Sequence, residues 1–150
     1  MAENGISYTS DQATIWRWRE AYQHDFAARM DWCAADTFEK ANHNPDAVCQ
    51  GDRSKAVAKI RAASGQRVNL SAAGTRDPDG NGVSYRWFLY KEAGTFRGEV
   101  RIEEAASPQA WFLAPQVTEP VSLHVILEVW DDGQPRLCSY RKIIVTVGGT

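Results

Sequence analysis

Long apolar runs are missing from this chain. The longest are a few residues, as in Val125-Ile126-Leu127, so nothing reads as a bilayer-spanning helix and no membrane partner is expected. The start, Met1-Ala2-Glu3-Asn4-Gly5, has neither a basic n-region nor an apolar h-region, so no signal peptide is expected within it. A dominant charge is also missing. Seventeen Lys and Arg face nineteen Asp and Glu for a net charge of −2, and no long basic run interrupts the balance, which disfavours nucleic acid as a partner. Cysteine is scarce: Cys33, Cys49 and Cys138 fall in no CxxC or other zinc-ligand spacing. They allow at most one internal disulfide, and the buried habit of cysteine favours free buried thiols. There is no internal repeat and no low-complexity segment.

Catalytic signatures are absent too. No Gly-x-Ser-x-Gly, phosphate loop or His-Glu-x-x-His occurs. His24, His43 and His124 show no ligand spacing and read as hydrogen-bonded structural or surface residues. Glu103-Glu104, or Glu128 with Asp131, supply carboxylates, but a glycosidase needs two of them about 5 to 9.5 Å apart across a cleft, and neighbours in sequence do not make one. No catalytic residue is assigned, and the chain is not expected to be an enzyme. Asn69-Leu70-Ser71 matches a glycosylation sequon but lies within a predicted strand.

What the chain does have is rings. Six Trp, five Tyr and five Phe in 150 residues exceed what one core of this size needs, which points to aromatic display as well as packing. Residues 1–41 form an extension or linker. Within it Ile15, Trp18, Tyr22, Phe26, Met30 and Cys33 recur at spacings of three and four, which predicts an amphipathic helix over about residues 9–33, opened by a Thr9/Gln12 capping box. Alternation of Trp16 and Trp18 with Arg17 and Arg19 offers a competing strand at Thr14 to Arg19.

Residues 42–150 read as an antiparallel, immunoglobulin-like β-sandwich: short branched and aromatic runs between Gly, Pro and Asx turns. Strands are predicted at Pro45 to Cys49, Ala56 to Arg61, Arg67 to Ala72, Val83 to Tyr90, Ala110 to Leu113, Val121 to Trp130 and Tyr140 to Val147. Alternation puts Leu123, Val125, Leu127, Val129, Tyr85, Trp87, Leu89, Ile143, Val145 and Val147 inside. The opposite face, with Phe88, Tyr90, Ile126, Trp130, Tyr140 and Ile144, is too apolar for water. Either the N-terminal segment or a ligand should cover it.

The runs Gly65-Gln66-Arg67-Val68-Asn69-Leu70-Ser71 through Asp77-Pro78-Asp79-Gly80, Val83-Ser84-Tyr85-Arg86-Trp87, and Val125 through Trp130-Asp131-Asp132-Gly133 resemble the PKD-like and cadherin-like immunoglobulin-fold modules over about residues 44–147. Adding Thr14-Ile15-Trp16-Arg17-Trp18-Arg19, Asp25-Phe26 through Asp31-Trp32, Ala41-Asn42-His43-Asn44-Pro45 and Phe88 through Phe96, nearly the whole chain is similar to the C-terminal domain of a bacterial family described as cellulose-binding proteins. In that family the domain follows a larger nucleoside-hydrolase-like one. The resemblance implies an extracytoplasmic, secreted or periplasmic, carbohydrate-related protein whose catalytic part, if any, is that other domain. The resulting expectation is a non-catalytic module for cellulose or a related plant-wall polysaccharide. Its alternative is a module that docks on the hydrolase-like domain through Trp16, Trp18 and Trp32.

Sugar C–H faces pack on flat rings while their hydroxyls need polar neighbours. The candidate contact residues are therefore Trp16, Trp18, Trp32, Tyr90, Trp111 and Trp130, with Arg17, Arg19 and Glu128 as polar partners. Trp16, off the helical stripe, and Trp111, on a short edge strand, are the best placed for exposure. Packing of the N-terminal segment on the sheet is the expected role of Trp18, Phe26 and Phe88. Asp77, Asp79, Asp131 and Asp132 lie in loops that meet at one end of such a sandwich. They are candidate ligands for a structural calcium, with turn formation as their simpler role.

Overall fold

Alternating burial along short strands builds two facing sheets. The computed structural model describes residues 2–3, 6–7 and 13–148. Strands β1 (Ala2–Glu3) and β2 (Ile6–Ser7) pair with each other near the N-terminus. Helices α1 (Ala13–Trp16) and α2 (Arg19–Ala34) follow. The main strands are β3 (Ala58–Ala63), β4 (Arg67–Ser71), β5 (Val83–Leu89), β6 (Gln109–Leu113), β7 (Val121–Asp131) and β8 (Cys138–Gly148). One sheet runs β3-β8-β7-β5, with β3 parallel to β8 and the other pairs antiparallel. Antiparallel β4 and β6 make the second sheet.

The core lies between them. Leu123, Val125, Leu127 and Val129 of β7 and Ile143, Val145 and Val147 of β8 meet Val68, Leu70, Ala110 and Phe112 of the small sheet, all buried as alternation predicts. Trp87 joins this core and donates its Nε1–H to Ser107 O at 2.9 Å. Tyr85 and Leu89 are only partly buried at its margin. This is the immunoglobulin-like sandwich read from the pattern. The predicted strand at Pro45 to Cys49 forms only isolated bridges, Asp46 to Arg76 and Cys49 to Asp52. Gln50 and Gly51, at positive φ, turn the chain before a ladder can extend.

The outer face of the four-stranded sheet is partly covered by the N-terminal segment through Trp18, while Tyr140 stays 38% exposed. The predicted single helix is broken. Trp18 leaves helical geometry at φ −99° and ψ 3°, accepts from Tyr22 N and caps α2, while its own N–H turns back to Ile15 O. The Thr9/Gln12 capping box lies outside the described residues. The break drops the Trp18 ring among Tyr140, Phe88 and Tyr90, with centroids at 5.0, 6.1 and 6.4 Å.

The break also rotates the predicted stripe. Trp18, Ala21, Asp25, Ala28 and Trp32 are the less exposed side of the segment, whereas Ile15, Tyr22, Phe26, Met30 and Cys33 are exposed. Phe26, predicted to pack on the sheet, is 64% exposed. The reason is volume: the sheet already presents large rings, so a helix can approach it only through small residues such as Ala28, which is fully buried. The three cysteines are free, with Cys49 and Cys138 buried and Cys33, against expectation, exposed.

A buried polar knot ties the extension to the sandwich. Asn42 donates from Nδ2 to Asp131 Oδ2 at 2.9 Å and to Pro135 O at 2.8 Å, and accepts at Oδ1 from Asn81 Nδ2 at 2.7 Å. Its own carbonyl accepts from Trp32 Nε1 at 2.6 Å. The backbone of Gly133 lies so close that any Cβ there would collide with the Asn42 amide. Replacing Asn42 by Ala strands the buried Asp131 carboxylate and two part-buried partners, and a loss of about 2 to 3 kcal/mol is expected. Denaturant melts of Asn42→Ala against the parent measure it, and an unchanged midpoint would show the knot to be dispensable.

Candidate functional site

The N-terminal segment covers one sheet, and the other stays open. In β4, Val68 and Leu70 point in and Arg67, Asn69 and Ser71 point out, while in β6 Ala110 and Phe112 point in and Gln109, Trp111 and Leu113 point out. The register pairs Arg67 with Leu113, Asn69 with Trp111, and Ser71 with Gln109. The result is an outward row with one indole at its centre, half-buried where the sequence predicted exposure, and amide, hydroxyl and guanidinium groups around it. The Arg67 guanidinium carbon lies 4.0 Å from the Trp111 ring centroid, and Arg67 Nε donates to Asn69 Oδ1 at 3.1 Å. Glu103, bridged to Trp111 through the backbone, pairs with Arg101 at 3.1 Å. Most polar groups in this row are uncharged, which suits a neutral, hydroxyl-rich ligand better than an ion.

The other predicted contact residues do not gather here. Trp16 ends α1 and is 40% exposed. Trp18 sits among three rings against the sheet. Arg17 reaches Glu92 Oε1 at 3.3 Å and lies 5.5 Å from the Tyr90 centroid. Arg19 is exposed at the start of α2. Trp32 stacks on His43 at 5.4 Å and 8°, with Arg29 5.4 Å from its centroid. Trp130, half-buried, is faced by Arg136 at 5.0 Å.

Glu128 is buried and paired with Arg86 at 3.4 Å, so as a polar sugar contact it is corrected: its carboxylate answers a guanidinium within the sheet. Trp18 is corrected likewise, since its ring is engaged in holding the extension down. Residues that sequence reasoning passed over are Arg67, Asn69 and Gln109, although the alternation of β4 and β6 would have put them beside Trp111. Phe38 stacks on His43 at 3.6 Å and 4°, a contact between segments with no signature in the sequence.

The four aspartates do converge at one end, but as turn formers. Asp77 Oδ1 accepts from the N–H groups of Asp79 and Asn81 at 2.9 and 3.1 Å. Asp79 holds His43 through its backbone N–H at 2.7 Å and its Nδ1 at 3.1 Å. Asp131, 1% exposed, accepts from Gly133 N, Leu137 N and Asn42, and Asp132 accepts from Gly82 N at 2.8 Å. Burial pushes the Asp77 carboxyl above its usual range against those backbone bonds, with the Asp131 and Asp79 charges adding to the rise. Among the described residues no three His, Cys, Asp or Glu side chains form a group that could hold a metal ion. Calcium is therefore expected to leave the melting temperature unchanged; a rise with millimolar calcium, reversed by chelation, would assign a cation to these loops.

Fold and surface define an immunoglobulin-like sandwich module with one covered and one open sheet. The chain belongs to the family described as cellulose-binding protein Sde0182, C-terminal domain, whose model matches residues 67–147. It is also similar to a nucleoside hydrolase-related hypothetical protein from Saccharophagus degradans that is associated with carbohydrate metabolism, with 36% identity and a TM-score of 0.86. That match covers 97% of this chain and 34% of the other, so the chain spans about a third of that relative's length. Weaker likenesses are to mouse cadherin-23 EC22-24, at 14% identity, TM-score 0.47 and coverage of 71% and 33%. Another is the PKD domain from the KIAA 1837 protein, at 19% identity, TM-score 0.42 and coverage of 63% and 83%. No curated protein matches the chain. No helix among the described residues is long and apolar enough to cross a membrane.

Proposed function

We propose that this chain is a non-catalytic carbohydrate-binding module for cellulose or a related plant-wall polysaccharide, acting outside the cytoplasm. Trp111 carries the reading: half-buried on the outward side of β6, with the Arg67 guanidinium over its ring, it has Asn69, Ser71 and Gln109 around it. The indole would take the C–H face of a sugar ring, and the amides and hydroxyl would meet the ring's hydroxyls. The family's description as cellulose-binding supports the same ligand class. Trp16, at the end of α1, is the more exposed ring of the two, at 40%.

Retention on insoluble cellulose, xylan, mannan and pectin is the test. Trp111→Ala is expected to lower retention roughly 10-fold, as loss of one stacking ring of about 1 to 1.5 kcal/mol would do. Trp16→Ala is expected to change it less. Full retention by a folded Trp111→Ala variant would sink the β4–β6 surface as the site, and no retention of the parent on any glycan would sink the module reading.

A second reading, docking onto a nucleoside-hydrolase-like domain of a longer protein, is favoured by one observation. Ile15, Tyr22, Phe26 and Met30 are all about half exposed or more along one side of the helical segment, and apolar stripes of this kind mark contact surfaces. The surface differs from the expected one, because Trp18 packs among the rings of the sheet and Trp32 stacks on His43. An isolated chain with such a face should self-associate, and Phe26→Glu should reverse this in sedimentation. A monodisperse monomer at high concentration would remove the docking reading.

A further inference from the structure

A groove of about 520 Å³ runs between α2 and the sandwich, walled by α2, the segment around residues 44–48, the turn at 53–55 and the start of β8. Its lining carries more cations than carboxylates. Arg29, Arg53, Lys55, Arg76 and Arg141 all contribute, against Asp25 and Asp46. Three of the cations are answered within the chain: Arg29 by Asp25 at 2.7 Å, Arg76 by Asp46 at 3.4 Å and Arg141 by Asp52 at 3.2 Å. Arg53 and Lys55, both exposed at the rim, have no carboxylate in ion-pair range among the described residues.

The second observation lies in the groove's wall. Arg141 is 4% exposed, and its two terminal nitrogens donate to Ala47 O, Asp52 O, Asp52 Oδ2 and Ala56 O. Its Nε–H, equally buried, has no acceptor among the described residues. A buried guanidinium donor without a partner is costly, and an anionic oxygen is the acceptor that suits it best. The buried Glu128 carboxylate, whose charge acts on Cys138 and Tyr140, is paired with Arg86. Burial holds the Cys138 thiol up at about 12 and raises the Tyr140 phenol further, so both groove residues are neutral at pH 7.

We infer that this groove binds the carboxylate of an acidic sugar, a uronate unit of a plant-wall polysaccharide, with Arg53 and Lys55 as the capturing cations and Arg141 as the buried donor. The inference rests on the carbohydrate-binding reading and adds a ligand class to it. The volume suits a sugar unit, falling within the usual range of ligand sites. Asn44, also in the lining, supplies an amide for hydroxyl contact, although its Nδ2 already donates to Cys138 O at 3.1 Å. The neutral row around Trp111 and this cationic groove would then read two features of one mixed polymer.

Calorimetric titration of the whole chain with trigalacturonic acid, its methyl ester, cellotriose and inorganic phosphate tests it. The acid is expected to bind, the ester and phosphate at least about 10-fold more weakly, and added salt to weaken the acid. Arg53→Gln with Lys55→Gln, both exposed and off the core, should lower affinity for the acid by about 10-fold or more with an unaltered melt. Equal binding of acid and ester, or full affinity in the double variant, would overturn the inference. Phosphate matching the acid would overturn its sugar component. If cellulose or cellotriose is bound while the acid is not, only the uronate site falls; if no glycan is bound, the carbohydrate reading falls with it.

Discussion

The buried carboxylate of Asp131 is the constraint on which the rest of the architecture depends. It ends β7 and cannot be left unpaired in the interior, so three donors converge on it: two backbone N–H groups of the 133–137 loop and the amide of Asn42. Through Asn42 the same knot reaches Asn81 in the 77–81 loop and Trp32 at the end of α2. The extension is thereby fixed to the loop end of the sandwich, and Trp18 pins its other end to the middle of the sheet. Between those two points α2 buries Ala28 and reaches the β7–β8 loop through His24, whose Nδ1 lies 2.8 Å from Arg136 O.

That two-point attachment divides the surface. It shields one face of the larger sheet, leaves an open groove beside β8, and turns the larger side chains of α2 to solvent. On the smaller sheet the outward row of β4 and β6 carries polar side chains around Trp111, which is half-buried beneath Arg67. Arginine faces five of the rings: Arg17 with Tyr90, Arg29 with Trp32, Arg67 with Trp111, Arg86 with Phe88 and Arg136 with Trp130. A guanidinium over an indole keeps the ring partly desolvated while remaining hydrogen-bond competent at its edge.

Strand positions and their inward faces were legible because a period of two is a local property. Val121 to Trp130 differs from β7 by one residue, and its inward set is the one observed. The helix was legible in place but not in face. Ile15, Tyr22, Phe26 and Met30 have the spacing of a buried stripe, yet no spacing tells what the opposing surface will accept. A sheet face already filled with Phe88, Tyr90, Trp130 and Tyr140 takes the small side of the helix and rejects the large one. Glu128 was misplaced for a related reason: alternation put it correctly on the outer face, but whether that face is wet depends on a segment a hundred residues away.

The sequence by itself determined the sandwich, the family resemblance, the need for a cover on one sheet and the candidacy of Trp111, since alternation, turn chemistry and composition are written in neighbouring residues. Only the tertiary structure decided which rings are engaged and which are open, that the loop aspartates serve main-chain N–H groups, and that Arg29, Arg53, Lys55, Arg76 and Arg141 share one groove. Those facts depend on which distant segments meet and how their volumes and charges match, and neither quantity is carried by any local stretch of the chain.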